Sequence, residues 1–409
     1  MKILMGFISL LAFIISACSS LPVRTGLDNV NDYSDLFAGK RIGIITNHTG
    51  YNHEGKYIAD VFKVLPDVRV TALFGPEHGI HGNHAAGSEV DSAEDSTTQI
   101  PIFSLYGATR KPTPEMLTEV DILVFDIQDV GARFYTYIYT MALAMEAAAE
   151  QGKIFVVLDR PNPINGVDVE GNILEPEFAT FVGMYPIPVR HGMTIGELAQ
   201  LFNGEGMLAN GVKAELKVIP MKNWKRNQWY DQTGLEFIAP SPNIPDFATM
   251  IVYPGLCLWE GTNASEGRGT YHPFVQFGAP WINKATFTSE LNNLYLAGCR
   301  FEENEFTPIS IPGMSENPKQ ENKPCFGAKV VVTDRNTFEP YWTGIKIIEK
   351  TYQLYPDSLN FRSGHFDRLC GTAKIREAIL NNASLDDVRF NWQEKLNEFK
   401  QIRKKHLIY

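Results

Sequence analysis

Arg41-Ile42-Gly43-Ile44-Ile45-Thr46 is a short, almost wholly apolar run that stops in the polar residues Asn47 and His48, the pattern of a strand buried on both faces. The next segment, Lys56 to Leu65, sets Ile58, Val61, Phe62 and Leu65 at helical spacing, and Val68 to Phe74 reads as a second strand. Ile100 to Leu105 continues as another strand. Asp121-Ile122-Leu123-Val124-Phe125-Asp126 follows a short helix started by Pro114. The alanine-rich helix Tyr139 to Gln151 then leads to Lys153-Ile154-Phe155-Val156-Val157-Leu158-Asp159. Thr194 to Phe202 is a further helix, with Thr194 as N-cap and Glu197 at the capping-box position. Strands alternating with helices in this way imply an α/β fold, a mostly parallel sheet with helices on both faces. In such sheets ligands bind beyond the carboxyl ends of the strands. That directs attention to Thr46-Asn47-His48, Gly75-Pro76-Glu77-His78, Asp126 to Asp129, and Asp159-Arg160-Pro161-Asn162-Pro163.

Beyond about Gly269 the texture changes. A helix over Lys284 to Leu296, a strand over Ala328 to Thr333 and three helical stretches after Tyr341 suggest a smaller α+β domain. The last stretch, Leu385 to about Lys404, places Val388, Trp392, Leu396 and Phe399 on one face. The expected organisation is therefore 36–268 for the sheet domain and 269–409 for the smaller one.

At the other end, Lys2 precedes the apolar run Leu10 to Ala17, which stops at Cys18. A basic start, a short apolar core and small residues before a cysteine form a secretory signal with a bacterial lipoprotein cleavage box. The run is short of the ~20 residues a bilayer span needs. Residues 1–17 are thus expected to be a cleaved signal peptide, Cys18 a lipid-bearing first residue, and 18–35 a tether. The protein is expected to be an exported lipoprotein, held at a membrane and facing the periplasm.

Loss of Lys2 with the signal takes the net charge from −10 to −11, with no long block of either sign. This argues against nucleic acid as a partner. The remaining cysteines, Cys257, Cys299, Cys325 and Cys370, show no Cys-x-x-Cys spacing and are expected to be mostly free, buried thiols.

The strongest chemical signal is Phe74-Gly75-Pro76-Glu77-His78-Gly79-Ile80-His81-Gly82, where a strand runs into a glycine-rich turn around an acid and two imidazoles. Glu77 at such a strand end can serve as general acid or base. His78, His81 and His84 invite a metal reading, but Gly79 and Gly82 undermine any helical ligand spacing. The expectation is no metal and no cofactor, with the histidines orienting carboxylates or touching substrate hydroxyls. A second constellation, Leu258 to Thr270, joins Glu260, Asn263, Glu266 and Arg268 in a glycine-rich loop entered by Trp259, a mixture suited to a sugar. In the third, Asp126-Ile127-Gln128-Asp129-Val130-Gly131-Ala132-Arg133-Phe134-Tyr135-Thr136-Tyr137, two acids sit at a strand end and an arginine with tyrosines at the next helix start. Arg190-His191-Gly192 and Ser241-Pro242-Asn243 are weaker strings of the same kind. No Gly-x-Gly-x-x-Gly follows the first strand, and no Gly-x-Ser-x-Gly elbow is present, which sets aside dinucleotide binding and serine hydrolysis.

Gly75-Pro76-Glu77-His78-Gly79, Asp126-Ile127-Gln128-Asp129-Val130-Gly131, Asp159-Arg160-Pro161-Asn162-Pro163, Ser241-Pro242-Asn243 and Glu260-Gly261-Thr262-Asn263-Ala264-Ser265-Glu266-Gly267-Arg268-Gly269 occur in one order. As a series they resemble the exo-β-N-acetylmuramidase (NamZ) family of bacterial peptidoglycan hydrolases, over nearly all of the chain that follows Cys18. The resemblance implies a Rossmann-like N-terminal domain, a smaller C-terminal domain and an active site in the cleft between them. It also implies release of N-acetylmuramic acid from the non-reducing ends of peptidoglycan fragments, with Glu77 as the catalytic glutamate.

Glycoside hydrolysis usually uses two carboxyl groups. Glu77 is the first choice, with Glu266, Glu260 and Asp126 competing for the second place. Substrate contacts are expected from Asn47, His78, His81, Asp129, Arg133, Arg190, His191, Asn243, Asn263 and Arg268. Muramic acid carries a lactyl carboxylate, so an arginine should meet it, and Arg268, Arg133 and Arg190 are the candidates. The expected partners are muramyl saccharides and, through the lipid, a membrane. Two other readings are a metal-dependent peptidoglycan deacetylase or amidase, and a non-catalytic lipoprotein that captures cell-wall sugars.

Overall fold

A computed structural model describes residues 21–82, 93–94 and 100–409. The expected signal peptide, Cys18 and His84 lie outside the described residues.

The sheet domain runs α1 (Ser34–Phe37), β1 (Arg41–Thr46), α2 (Ile58–Lys63), β2 (Arg69–Gly75), β3 (Ala93–Glu94), β4 (Pro101–Ser104), β5 (Ile122–Asp126), α3 (Tyr137–Glu150), β6 (Ile154–Leu158), α4 (Ile195–Gly204), β7 (Glu215–Ile219) and α5 (Phe247–Leu256). Its strands form one sheet in the order β3-β4-β2-β1-β5-β6-β7. All neighbours pair in parallel except the short β3, which lies antiparallel to β4. The second unit comprises β8 (Gln276–Ala279), α6 (Lys284–Asn292), β9 (Cys299–Phe306), β10 (Cys325–Val332), α7 (Pro340–Leu354), α8 (Ser363–Cys370), α9 (Lys374–Leu380) and α10 (Leu385–Lys404), around a three-stranded antiparallel sheet ordered β8-β10-β9. The α/β reading and the smaller α+β unit are both present.

Alternation along each central strand divides the core between the two faces of the sheet. Leu123 and Phe125 of β5 join the cluster under α3 and α4, while Ile122 and Val124 join the opposite cluster with α2. Both faces must be covered, because a parallel sheet with apolar residues on either side cannot leave one to water. The capping box at Thr194 and Glu197 is formed as expected, and α10 buries Trp392, Leu396 and Phe399. The segment after Pro114 is a turn rather than a helix. Cys257, Cys325 and Cys370 are buried thiols and Cys299 is half-buried, none in a disulfide.

The N-terminal segment departs from expectation. Residues from Val23 to Asp35 are not a tether but the cover of the α2 face. The Val23 and Gly26 amides donate to Thr233 O (2.9 Å) and Asp159 O (2.8 Å). Leu27 and Val30 pack with Phe37 and Phe62 in the core of that face. Gly26 lies so close to the end of β6 that a Cβ there would sit 2.4 Å from Asp159 N. Two apolar residues in a short 3₁₀ turn, Leu27 and Val30, show no readable period in sequence, yet α2 alone is too small to seal the sheet. Leu27 is 1% exposed, so Leu27→Ala should cost about 2–5 kcal/mol in urea unfolding, whereas an unchanged midpoint would return this segment to the status of a linker.

Candidate active site

At the end of β2 the chain turns through His78 (φ 70°), Gly79 (φ 73°) and Gly82 (φ 67°), all left-handed. A non-glycine residue held there signals a backbone strained for position. Gly82 is also required by space, since a Cβ would collide with the His48 ring at 1.9 Å. The turn presents Glu77 to a cavity of about 690 Å³. Thr136 Oγ1 donates to Glu77 Oε2 at 2.8 Å. Tyr106 also hydrogen-bonds this carboxylate, and burial together with the adjacent negative charge pushes its phenol up. Glu77 therefore stands half-buried among hydroxyl groups.

The cavity is closed by both units. The sheet domain contributes Glu77, His78, Tyr106, the Phe134 to Tyr137 turn, Ser241 and Asn243; Glu260, Glu266, Arg268, the Met314 to Lys319 loop, Arg362 and His365 face them. A floor of rings comes from Phe134, Tyr135, Tyr253 and Phe274, with Tyr253 edge-on to the other three at 5.4, 5.9 and 4.9 Å. Asn243 Nδ2 donates to Met314 O at 2.6 Å, while its buried Oδ1 has no hydrogen-bond partner.

The two glutamates of the glycine-rich loop are held differently. Arg268 clasps one oxygen of Glu260 through Nε (3.1 Å) and Nη2 (2.7 Å), and His365 stands 3.6 Å from the other. Burial on its own would raise the Glu260 carboxyl, but the Arg268 guanidinium and His365 outweigh it and hold it down at about 2. Glu260 is therefore a fixed anion, unsuited to proton transfer. Glu266 lies 2.8 Å from Lys319 Nζ and 3.6 Å from Arg268 Nε, nearly buried. Lys319 is itself anchored on Trp259 O (2.6 Å) and Thr262 O (3.0 Å).

Several expected residues do structural work elsewhere. Asp126 is buried in a two-point ion pair with Arg160 (2.5 and 2.7 Å); it cannot share a glycosidic bond with Glu77. Arg133 is fully buried, donating to Asn172 O, Ile187 O, Leu369 O and Cys370 O. It joins the two units instead of meeting an anion. Arg190 is buried against Asp168 (3.0 Å) and Ile164 O. Burial and the nearby Arg403 and Arg190 hold His191 at about 3, hence neutral, and it does not line the cavity. Asn47 accepts from Thr49 within the β1 turn. Asn263 exchanges hydrogen bonds with Ser358 and Asn360, and Trp259 is core, 4.8 Å from Phe277. Asp129 accepts from the Gly131 amide at 2.7 Å behind Tyr135, its carboxyl pushed by burial to about 7. His78 borders the cavity, but His81 is exposed beside His48, so the two do not converge.

The chain reverses direction across the sheet between β1 and β5. That switch point holds a second cavity of about 300 Å³, lined by Thr49, Tyr51, Gln128, Arg160 and Tyr230 among others. The large cavity lies instead to one side, at β2. Tyr106, Thr136, Lys319, Arg362 and His365 were not among the expected residues. Tyr106 and Thr136 flank Glu77 from within the sheet domain, whereas Lys319, Arg362 and His365 lie in stretches without a motif of their own and reach the site only through the packing of the second unit.

Two family descriptions cover the chain: "Exo-beta-N-acetylmuramidase NamZ, N-terminal" over residues 42–248 and the corresponding C-terminal description over 251–409. A peptidoglycan beta-N-acetylmuramidase NamZ of Bacillus subtilis (strain 168) is 50% identical over 389 residues, 95% of this chain and 91% of that protein. Two crystal structures of DUF1343 family proteins from Bacteroides fragilis NCTC 9343 superpose with TM-scores of 0.87 and 0.77 at 37% and 34% identity, each across 95% of this chain and 99% of the other. With both halves matched in order, the chain belongs to the NamZ family of exo-β-N-acetylmuramidases.

Proposed function

We propose that the protein is an exo-acting glycoside hydrolase that releases N-acetylmuramic acid from the non-reducing ends of peptidoglycan fragments. The observation that carries this reading is the meeting of Glu77 and Glu266 in one cavity built by both units, walled by aromatic rings, in a chain half identical to a peptidoglycan β-N-acetylmuramidase. Sugars are bound by such mixtures, in which rings cover the C–H faces and amide or carboxyl groups take the hydroxyls.

Glu77, supported by the hydroxyls of Thr136 and Tyr106, is the group that moves a proton at the scissile oxygen. Glu266, flanked by Lys319 and Arg268, supplies the second carboxylate that glycoside hydrolysis requires. Glu260 takes no proton; it fixes Arg268, and through it the loop. Asn243 Oδ1 is an acceptor left for a sugar hydroxyl or the acetamido N–H. Glu77→Gln should reduce kcat on a chromogenic N-acetylmuramide by about 10²–10⁴-fold without shifting the melting temperature, and near-normal turnover would remove Glu77 from the reaction. A mechanism run by two carboxyl groups should also keep its rate in excess chelator; loss of activity restored by one particular metal would favour the deacetylase or amidase reading.

The same reading places the enzyme outside the cytoplasm, tethered by lipid on Cys18. About five residues separate Cys18 from Val23, where the chain is already bonded to the folded body. Fully extended, they reach only ~17 Å, so the catalytic body would ride against the membrane. Expressed with its leader, Cys18→Ser should lose palmitate label and move to the soluble fraction. Retention in the membrane would mean an uncleaved anchor.

A further inference from the structure

We infer that Arg362 is the residue that recognises the lactyl carboxylate, and so sets the preference for a muramic over a glucosamine unit. The inference rests on the proposed function and names one subsite within it.

The other cations near the cavity are already occupied. Arg133 and Arg190 are interior and bonded to carbonyls or to Asp168. Arg268 does reach the cavity, but its Nε and Nη2 are committed to Glu260. Lys319 is committed to Glu266 and to two backbone carbonyls. A carboxylate entering the cavity would thus face Glu77, Glu260, Glu266 and Glu316 with two of the basic partners neutralised. A substrate anion cannot bind there without a further positive charge.

Arg362 lines the same cavity and is exposed. Among the described residues its guanidinium enters no ion pair and no hydrogen bond. Its backbone, by contrast, is fixed at both ends. The amide donates to Gly261 O at 2.8 Å, and the carbonyl accepts from the His365 and Phe366 amides at 2.8 and 2.9 Å. Phe361, just before it, bridges to Thr262 in the loop that carries Glu260 and Glu266. The stem is therefore rooted on the catalytic loop while the head remains available, and a guanidinium offers a two-point fork matched to a carboxylate. His365, in the first turn of α8 and lining the same cavity, adds a donor that is only partly engaged by Glu260.

The test compares free N-acetylmuramic acid with its methyl ester, which keeps the ring and the ether but lacks the charge. Calorimetric affinities are measured for the wild-type protein, Arg362→Ala and Arg362→Lys. The wild type should prefer the acid by about 10- to 100-fold, the size of a charge-assisted hydrogen-bonded pair. Arg362→Ala should bring that ratio close to one, and Arg362→Lys should restore part of it, with a preference that shrinks as salt is added. The side chain is exposed, so its loss should leave the fold intact, and an unchanged melting temperature checks this. A wild type that binds acid and ester equally, or an Arg362→Ala protein that keeps the full ratio, overturns the inference. Since binding alone is read, these outcomes do not depend on hydrolysis; absence of turnover on the muramide would count against the proposed function instead.

Discussion

The crossing of α5 over α7 holds the two units of this protein at a fixed separation, and the cavity has its dimensions because of it. Gly255 and Gly344 meet there with no side chain between the backbones. A Cβ on Gly255 would lie 1.8 Å from Pro340 O, and one on Gly344 2.3 Å from Gly255 O. No side chain can be placed at either position without moving a helix. Helix α5 runs directly into the loop of Glu260 and Glu266, and Gly261 in that loop lies so close to Phe366 of α8 that a Cβ there would sit 2.6 Å from its Cα. The loop carboxylates, Arg362 and His365 are therefore carried by a single close-packed block, which meets the strand-end turn of Glu77 across one core continuous between the sheets. Catalytic groups on such a frame keep their spacing without help from a ligand.

Charge is distributed on this frame with a clear division of labour. The buried ion pair of Asp126 with Arg160 and the half-buried one of Glu260 with Arg268 hold loops in place, and breaking one partner of the buried pair would leave an uncompensated charge. Glu77 takes hydrogen bonds from Thr136 and Tyr106. Glu260, by contrast, is clamped by Arg268 and His365 and held as an anion. Proximity to the cavity does not by itself distinguish the two glutamates. Their partners do.

The alternation of strands and helices was legible because a doubly covered parallel sheet imposes apolar runs on its strands and an amphipathic period on its helices. Glu77 was legible for a related reason: a rigid turn after a strand needs glycines, and an acid among them stands out. Arg133, Arg190, Asp126 and His191 have the same outward look in sequence, yet they are buried and serve backbone groups or ion pairs away from the cavity. A single chain shows that a polar residue follows a strand, but not whether a second unit or the protein interior will cover it. Leu27 and Val30 failed to show for the opposite reason. They cover the sheet in a short turn with no period, so nothing local separates them from a linker.

This difference also explains why the larger cavity is not at the switch point of the sheet. Between β1 and β5 the strand ends are filled by the protein itself: Thr49 accepts from the Gln128 amide at 3.0 Å, Arg160 spans from Asp126 to Tyr51 O, and only about 300 Å³ is left beside them. At β2 the chain instead turns outward through left-handed residues and leaves the space to be completed by the second unit. About two thirds of the lining there is drawn from residues beyond 240, so the sheet alone could hold Glu77 but could offer it neither Glu266 nor a cation for a substrate anion. The chemistry therefore belongs to the seam between the units. A parallel sheet of this kind becomes a hydrolase of acidic sugars only when the loop after α5 and the start of α8 are packed against it.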